Sequence, residues 1–306
     1  MLRSRAVPPL LLVGALFVTA GLVHGCGGLN IRCDGGGKGY SCRSVDGPPE
    51  RHTRSEYQPP WADEYHDIST ERPTVSEHVF TETNATRQEE GVSSLQHDRT
   101  LSQIACWHNQ DMLGHNYLGH NDSDDRLPSH RVAREHRRLI GAVGENAYEG
   151  GALNNRDKQQ WARDILDTWM HSPGHRENIM TARWTHLGAC VSERSMNARA
   201  TQVFTETWAY FDEPLPWTMA PGASIANSLS LAKATAPPTR YRFVSPRLTM
   251  WRAFPTESAG RAFNGTLHVP DSTGLYEVRF EFPTQSGGTE IIGGPWVRVT
   301  EDGGPS

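Results

Sequence analysis

The sequence has no basic excess: 30 Lys and Arg stand against 35 Asp and Glu, for a net charge of -5. A dedicated nucleic-acid binder needs surplus positive charge to neutralise phosphates, so that class is set aside. Long apolar runs are missing beyond the N-terminal stretch, the hydrophobic fraction is 36% and mean hydropathy is -0.58. Those values exclude a polytopic membrane protein. The chain also lacks any HExxH segment, which removes the paired-histidine signature of many zinc proteases. No internal repeat is present. Cysteines are few, five in 306 residues.

What is there begins with an export signal. Arg3 and Arg5 form a basic start, "PPLLLVGALFVTAGLV" an apolar core, and Gly25 and Cys26 follow as small residues. A single anchoring helix is the weaker reading, because Pro8 and Pro9 shorten the run. "VHGC" looks like a bacterial lipobox with His24 as its departure, making Cys26 the candidate lipid-bearing residue. Residues 1–25 are thus expected to be a signal peptide and 26–72 a flexible Gly- and Pro-rich tether, with membrane attachment only through Cys26. The four remaining cysteines suit an oxidising compartment. Cys33 with Cys42 can close a small loop and Cys106 with Cys190 can staple a helix to a strand, but connectivity is open and the latter pair can equally be buried thiols.

From Pro73 helical periods appear. Val75, Val79 and Phe80 form one helix stopped by Gly91, and Leu101, Ile104, Ala105, His108 and Met112 form the stripe of a second. Trp161, Ile165, Leu166 and Trp169 mark a third. "THLGACVSE" and "ARATQVFTETWAY" read as paired strands. Helices preceding a small antiparallel hairpin indicate an α+β or α-β-α sandwich over residues 73–212. A Pro-, Ser- and Ala-rich connector at 213–237 then leads to short alternating runs at 238–302, read as a small β-sandwich-like domain.

Several residues carry chemistry. "WMHSPGHRENIM" holds His171 and His175 four apart, the spacing of a zinc pair on one helix. Pro173 and Gly174 break that helix. Ser172 then becomes an N-cap, Pro173 the first helical residue, and His175 a first-turn imidazole whose neutral form the helix terminus favours, a nearby glutamate pushing the other way. Glu145, in "AVGENAYEGG", sits where the chain enters a helix-compatible run, and within reach of a histidine it can fix a tautomer, accept a proton or join a metal shell. His115, His120, Asp122, Asp124 and Asp125 crowd one loop, and "DSDD" lacks the glycine and distal glutamate of a calcium loop.

These segments, with "TNATRQEEGVSSLQHDRTLSQIACWHNQDM", "YLGHND", "HLGACV" and "TQVFTETWAY", resemble in order and spacing the CAP superfamily (cysteine-rich secretory proteins, antigen 5 and pathogenesis-related proteins; the SCP domain), in its bacterial branch. The resemblance implies an α-β-α sandwich with a central cleft in an exported protein, located in the cell envelope as a lipoprotein or outside the cell. It implies that His120, Glu145 and His175 line the cleft beside Ser172, which stands where many eukaryotic relatives have a second glutamate. One glutamate and two histidines form a three-ligand set that suits zinc. The expected function is non-enzymatic binding of a metal ion or a small, lipid-like or cell-envelope ligand. The alternative is metal-assisted hydrolysis with Glu145 as general base and His175 beside it. A Ser172, His175 and Glu145 triad is disfavoured, because a capping serine points its oxygen at backbone amides. A third reading gives the C-terminal unit a binding face built on Trp251 or Trp296, against burial of both.

Overall fold

The computed structural model describes residues 31–36, 39–44, 74–152, 156–245 and 260–303. The export signal, Cys26, Trp251 and most of the tether lie outside these residues. Within 26–72 the strands β1 (Ile31–Gly36) and β2 (Gly39–Ser44) pair antiparallel, with Cys33 opposite Cys42 in register. The side chains of that cysteine pair are outside the described part.

Helix α1 (Val75–Glu89) starts on a capping box: Thr74 Oγ1 accepts from the Glu77 amide at 3.3 Å and the Glu77 carboxylate returns to the Thr74 amide. The chain leaves it at Gly91, whose φ of +76° suits glycine. After the short β3 (Gln96–His97), α2 (Arg99–His115) is capped by Asp98, whose Oδ1 accepts from the Leu101 amide at 3.0 Å. Its buried stripe contains Leu101, Ile104, Ala105, His108 and Met112, as the spacing predicts. Helix α3 (Pro128–Glu135), which the sequence did not reveal, begins with proline in its first turn.

Next comes β4 (Leu139–Gly151), followed by α4 (Lys158–Met170), α5 (Pro173–Met180) and the antiparallel β5 (His186–Arg194) and β6 (Asn197–Phe211). The helix-compatible run around Glu145 is therefore a strand. Its Gly- and Ala-rich local sequence has little helical or strand preference, and pairing with β6 from Leu139 to Gly151 decides the outcome. The sheet order is β3-β5-β6-β4, placing β6 inside and β4 toward one side. Both faces of β6 are buried. On one face Val79, Trp161, Ile165, Trp169 and Ile179 of α1, α4 and α5 pack with Leu187 and Phe204. On the other, Leu101, Ile104 and Ala105 of α2 and Val132 of α3 pack with Leu139 and Val203. This is the expected α-β-α sandwich.

The disulfide Cys106–Cys190 staples α2 to β5 across that second face. Gly188 permits the close approach: a Cβ there would stand 2.2 Å from the Ser102 amide nitrogen.

The stretch 213–237 is built into the fold. It carries β7 (Thr218–Met219), β8 (Ser224–Ala226) and β9 (Leu229–Leu231), and β9 extends the first sheet by pairing with β6. Beyond it lie β10 (Arg240–Val244), β11 (Arg261–Ala262), β12 (Thr266–His268), β13 (Gly274–Pro283) and β14 (Thr289–Val299). They form a five-stranded sheet ordered β11-β10-β13-β14-β7 and a two-stranded ribbon, β12 with β8. The C-terminal region is strand-rich, as expected, yet its core is not separate. Tyr241, Phe280, Phe282 and Val297 form one cluster with Ile140, Trp208, Ala209 and Phe211 of β4 and β6.

Candidate functional site

Glu145 lies midway along β4 with its side chain on the α2 and α3 face and only 1% exposed. A buried carboxylate must be paired or it loses its charge. Here its Oε2 accepts from Arg131 Nη2, and its Oε1 accepts from His120 Nδ1 at 3.0 Å. His108 Nε2 stands 3.7 Å from the same Oε1 and donates to the Gly119 carbonyl at 2.8 Å. Burial by itself would raise the Glu145 pKa; the charge of Arg131 first, then His108 and the His120 hydrogen bond, outweigh it and leave the carboxyl below its ordinary range. His108 goes the opposite way. Burial, helped by the nearby Arg131 charge, pushes its pKa down to about 4, so it is neutral at pH 7.

Arg131 does more than neutralise Glu145. Its Nη1 donates to the carbonyls of His120 at 2.8 Å and Arg126 at 2.9 Å, so one guanidinium ties the 120–126 loop to β4. The loop's acids are similarly occupied. Asp122 accepts from the amides of Asp124 and Arg126 at 3.0 and 2.8 Å and from Arg126 Nε at 2.7 Å. Asp111 on α2 accepts from Tyr117 Oη and from the Ser123 amide and hydroxyl. These carboxylates shape the loop that presents His120, whose side chain is 51% exposed.

The other half of the site comes from α5. His175 is half-buried in its first turn, and its carbonyl accepts from Asn146 Nδ2 at 3.1 Å. Burial, and then the proximity of His120, lower the His175 pKa and favour the neutral ring. Asn178 Nδ2 donates to the Glu145 carbonyl and to Asn146 Oδ1, both at 3.0 Å. Asn146 also donates to Gln202 Oε1 at 3.1 Å, and Gln202 donates to Thr83 Oγ1 at 2.7 Å, so an amide chain runs from α5 through the sheet to α1. Gly144 leaves the necessary room: a Cβ there would stand 2.7 Å from Trp184 Cζ2.

The histidine pair of "WMHSPGHRENIM" is split as the proline predicts. His171 ends α4, exposed, with Nδ1 donating to the Asp167 carbonyl at 2.7 Å. Ser172 holds the N-cap position, but its hydroxyl makes no capping bond; only its carbonyl serves the helix, accepting from the Arg176 amide at 2.8 Å. The expected capping hydroxyl is therefore corrected: the extended backbone of Ser172 and Pro173 set the start without it.

His120 reaches Glu145 directly, and the expected third member, His175, is tied to β4 only through its carbonyl, while Glu145 stands behind His120 with both oxygens engaged. Among the described residues no group of three or more His, Cys, Asp or Glu side chains is arranged to hold a metal ion. Because the carboxylate only accepts, His120 Nδ1 must carry a proton, which leaves Nε2 as the nitrogen turned away from Glu145. Sequence reading missed Arg131, His108, Asn146 and Asn178. A histidine and an asparagine inside an apolar stripe, His108–Asn109, were the available signal.

Helices layered on both faces of a sheet whose β4 carries the buried Glu145 set the frame for comparison. Residues 80–205 match the cysteine-rich secretory protein family, CAP, and the central unit of this chain is a CAP domain. Two Bacillus subtilis (strain 168) proteins are related. The uncharacterized protein YkwD is 33% identical over 111 residues, 35% of this chain and 38% of the relative. The uncharacterized membrane protein YlbC is 27% identical over 135 residues, 44% of this chain and 35% of the relative. The chain thus spans little more than a third of the length of these curated relatives. Among solved structures, an extracellular protein containing a SCP domain from Bacillus anthracis str. Ames is similar at 25% identity, covering 43% of this chain and 40% of that one, with a TM-score of 0.36. A cysteine-rich secretory protein from Staphylococcus aureus Mu50 is 17% identical, covering 43% of this chain and 38% of that one, with a TM-score of 0.34.

Proposed function

We propose that this chain is an exported binding protein, tethered to the cell envelope through Cys26, whose His120 and His175 hold a metal ion or a small polar group of a lipid-like ligand. The observation that carries this reading is the hydrogen bond from His120 Nδ1 to Glu145 Oε1 at 3.0 Å. Metal-binding histidines ordinarily donate their second nitrogen to a carboxylate or carbonyl, which fixes the ring and raises the basicity of the ligating nitrogen. Glu145 then acts from behind His120, and zinc bound by two imidazoles keeps further positions for an exogenous ligand. The export signal in the sequence and the CAP domain support a location outside the cytoplasm.

Hydrolysis with Glu145 as general base gains no support. A base works best with a pKa near the operating pH, whereas this carboxyl is held below its ordinary range by Arg131.

The test is a zinc titration of the full mature chain by calorimetry, alongside His120→Ala and His175→Ala. Each substitution is expected to abolish measurable binding; undiminished binding in both overturns the proposal.

A further inference from the structure

Helix α3 touches two things at once. Arg131 reaches Glu145 and the His120 carbonyl, while its neighbour His130 packs its ring against Trp296 of β14 with centroids 4.8 Å apart. Just after the helix, Arg137 fastens the same joint. Its Nη2 donates to the Trp296 carbonyl at 2.6 Å and the Pro216 carbonyl at 3.1 Å, and its Nε to the Leu215 carbonyl at 2.9 Å. Arg134 lies over the Trp217 ring at 5.2 Å. The indole of Trp296 is therefore committed: the residue is 3% exposed and packed inward, which removes it as an open binding face.

We infer that the C-terminal β-unit sets the geometry of the CAP-domain site through α3, with His130, Arg137 and Trp296 as positioning residues for His120. The physical reason is the shortness of the lever. Eight residues form α3, and adjacent side chains, His130 and Arg131, leave it toward the β-unit and toward the site. An eight-residue helix with so polar a sequence gains little from its own propensity, so its place is fixed by what it packs against. If the β14 side loosens, Arg131 loses its registration on Glu145 and the 120–126 loop, and the hydrogen bond that fixes the His120 tautomer weakens with it.

The experiment uses the full mature chain and three substitutions: His130→Ala, Trp296→Leu and, as a control in the C-terminal core away from α3, Phe282→Leu. Two readouts are taken: the 15N shifts that report which nitrogen of His120 carries the proton, and zinc affinity. The tautomer readout stands without metal; only the affinity readout rests on the proposed function, so failure of zinc binding in the parent chain leaves this inference testable. His130→Ala and Trp296→Leu are expected to give a mixed His120 tautomer and lose on the order of tenfold in zinc affinity, the scale of lost outer-shell support. The control, chosen to lower the melting temperature comparably, is expected to leave His120 unchanged. A His120 signal unmoved by His130→Ala in a folded chain, or moved equally by Phe282→Leu, overturns the inference. If Trp296→Leu does not fold, His130→Ala and Arg137→Met decide it.

Discussion

Asn178 and Asn146 clasp the two halves of the site: Asn178 Nδ2 donates to Asn146 Oδ1 at 3.0 Å, while Asn146 holds the His175 carbonyl and Asn178 the Glu145 carbonyl. The bonds bind α5 to β4 without using either functional side chain. Asn146 is fully buried, so Asn146→Ala leaves Gln202, Asn178 and the His175 carbonyl short of partners. A loss of about 2–4 kcal/mol in unfolding free energy is expected from urea titration. A loss under about 1 kcal/mol would mean that the network is dispensable.

Acid sensitivity should follow His108. Its folded pKa is depressed from 6.5 to about 4, so the unfolded chain binds the extra proton first as pH falls. Stability from this group is complete above pH 6.5 and declines toward pH 4. The full decline is about 3 kcal/mol at 1.36 kcal/mol per unit. His186, also lowered by burial, adds in the same direction. Unfolding free energies of the parent and His108→Phe across this window should differ in slope, the variant being flatter.

The Arg131–Glu145 pair should behave as a unit. Arg131→Met strands a buried carboxylate and is expected to cost about 3–5 kcal/mol. Adding Glu145→Leu should recover much of that loss, and a double-mutant cycle by urea unfolding reads the coupling. Additive losses would mean that the two groups do not sense one another.

Reduction of the Cys106–Cys190 bond, 84 residues apart, should lower stability by about 4.6 kcal/mol through the freedom returned to the unfolded chain. Thermal unfolding of the Cys106→Ala, Cys190→Ala double variant checks it.

A chain ending at Asp212 should fail as a monomer. Ile140, Trp208 and Phe211 would lose the cover of the C-terminal strands, leaving an apolar patch of the kind that drives aggregation. Size-exclusion chromatography tests this directly; a soluble, monodisperse fragment would contradict it.

The helices α1, α2, α4 and α5 were legible because their signals are local: Val75 to Phe80 before Gly91, a stripe through Leu101 to Met112, Trp161 to Trp169, and Pro173 after Ser172. What stayed hidden depends on partners distant in sequence. β4 is a strand because β6, some sixty residues later, pairs with it, and α3 is too short and polar to announce itself. The 213–237 stretch looked like a connector because its strands have two or three residues each, while Leu215 and Met219 enter a core assembled mainly from later residues. His120, Glu145 and His175 were each noticed in the residues and grouped only by family resemblance, but Arg131, which holds the Glu145 charge, was not.

Arg131 also fixes the charge balance of the site. Its cation and the Glu145 anion cancel and His108 is neutral, so the buried cluster behind His120 carries no net charge at pH 7. Whatever reaches His120 therefore meets, directly behind that ring, a carboxylate whose charge is already answered from within the protein.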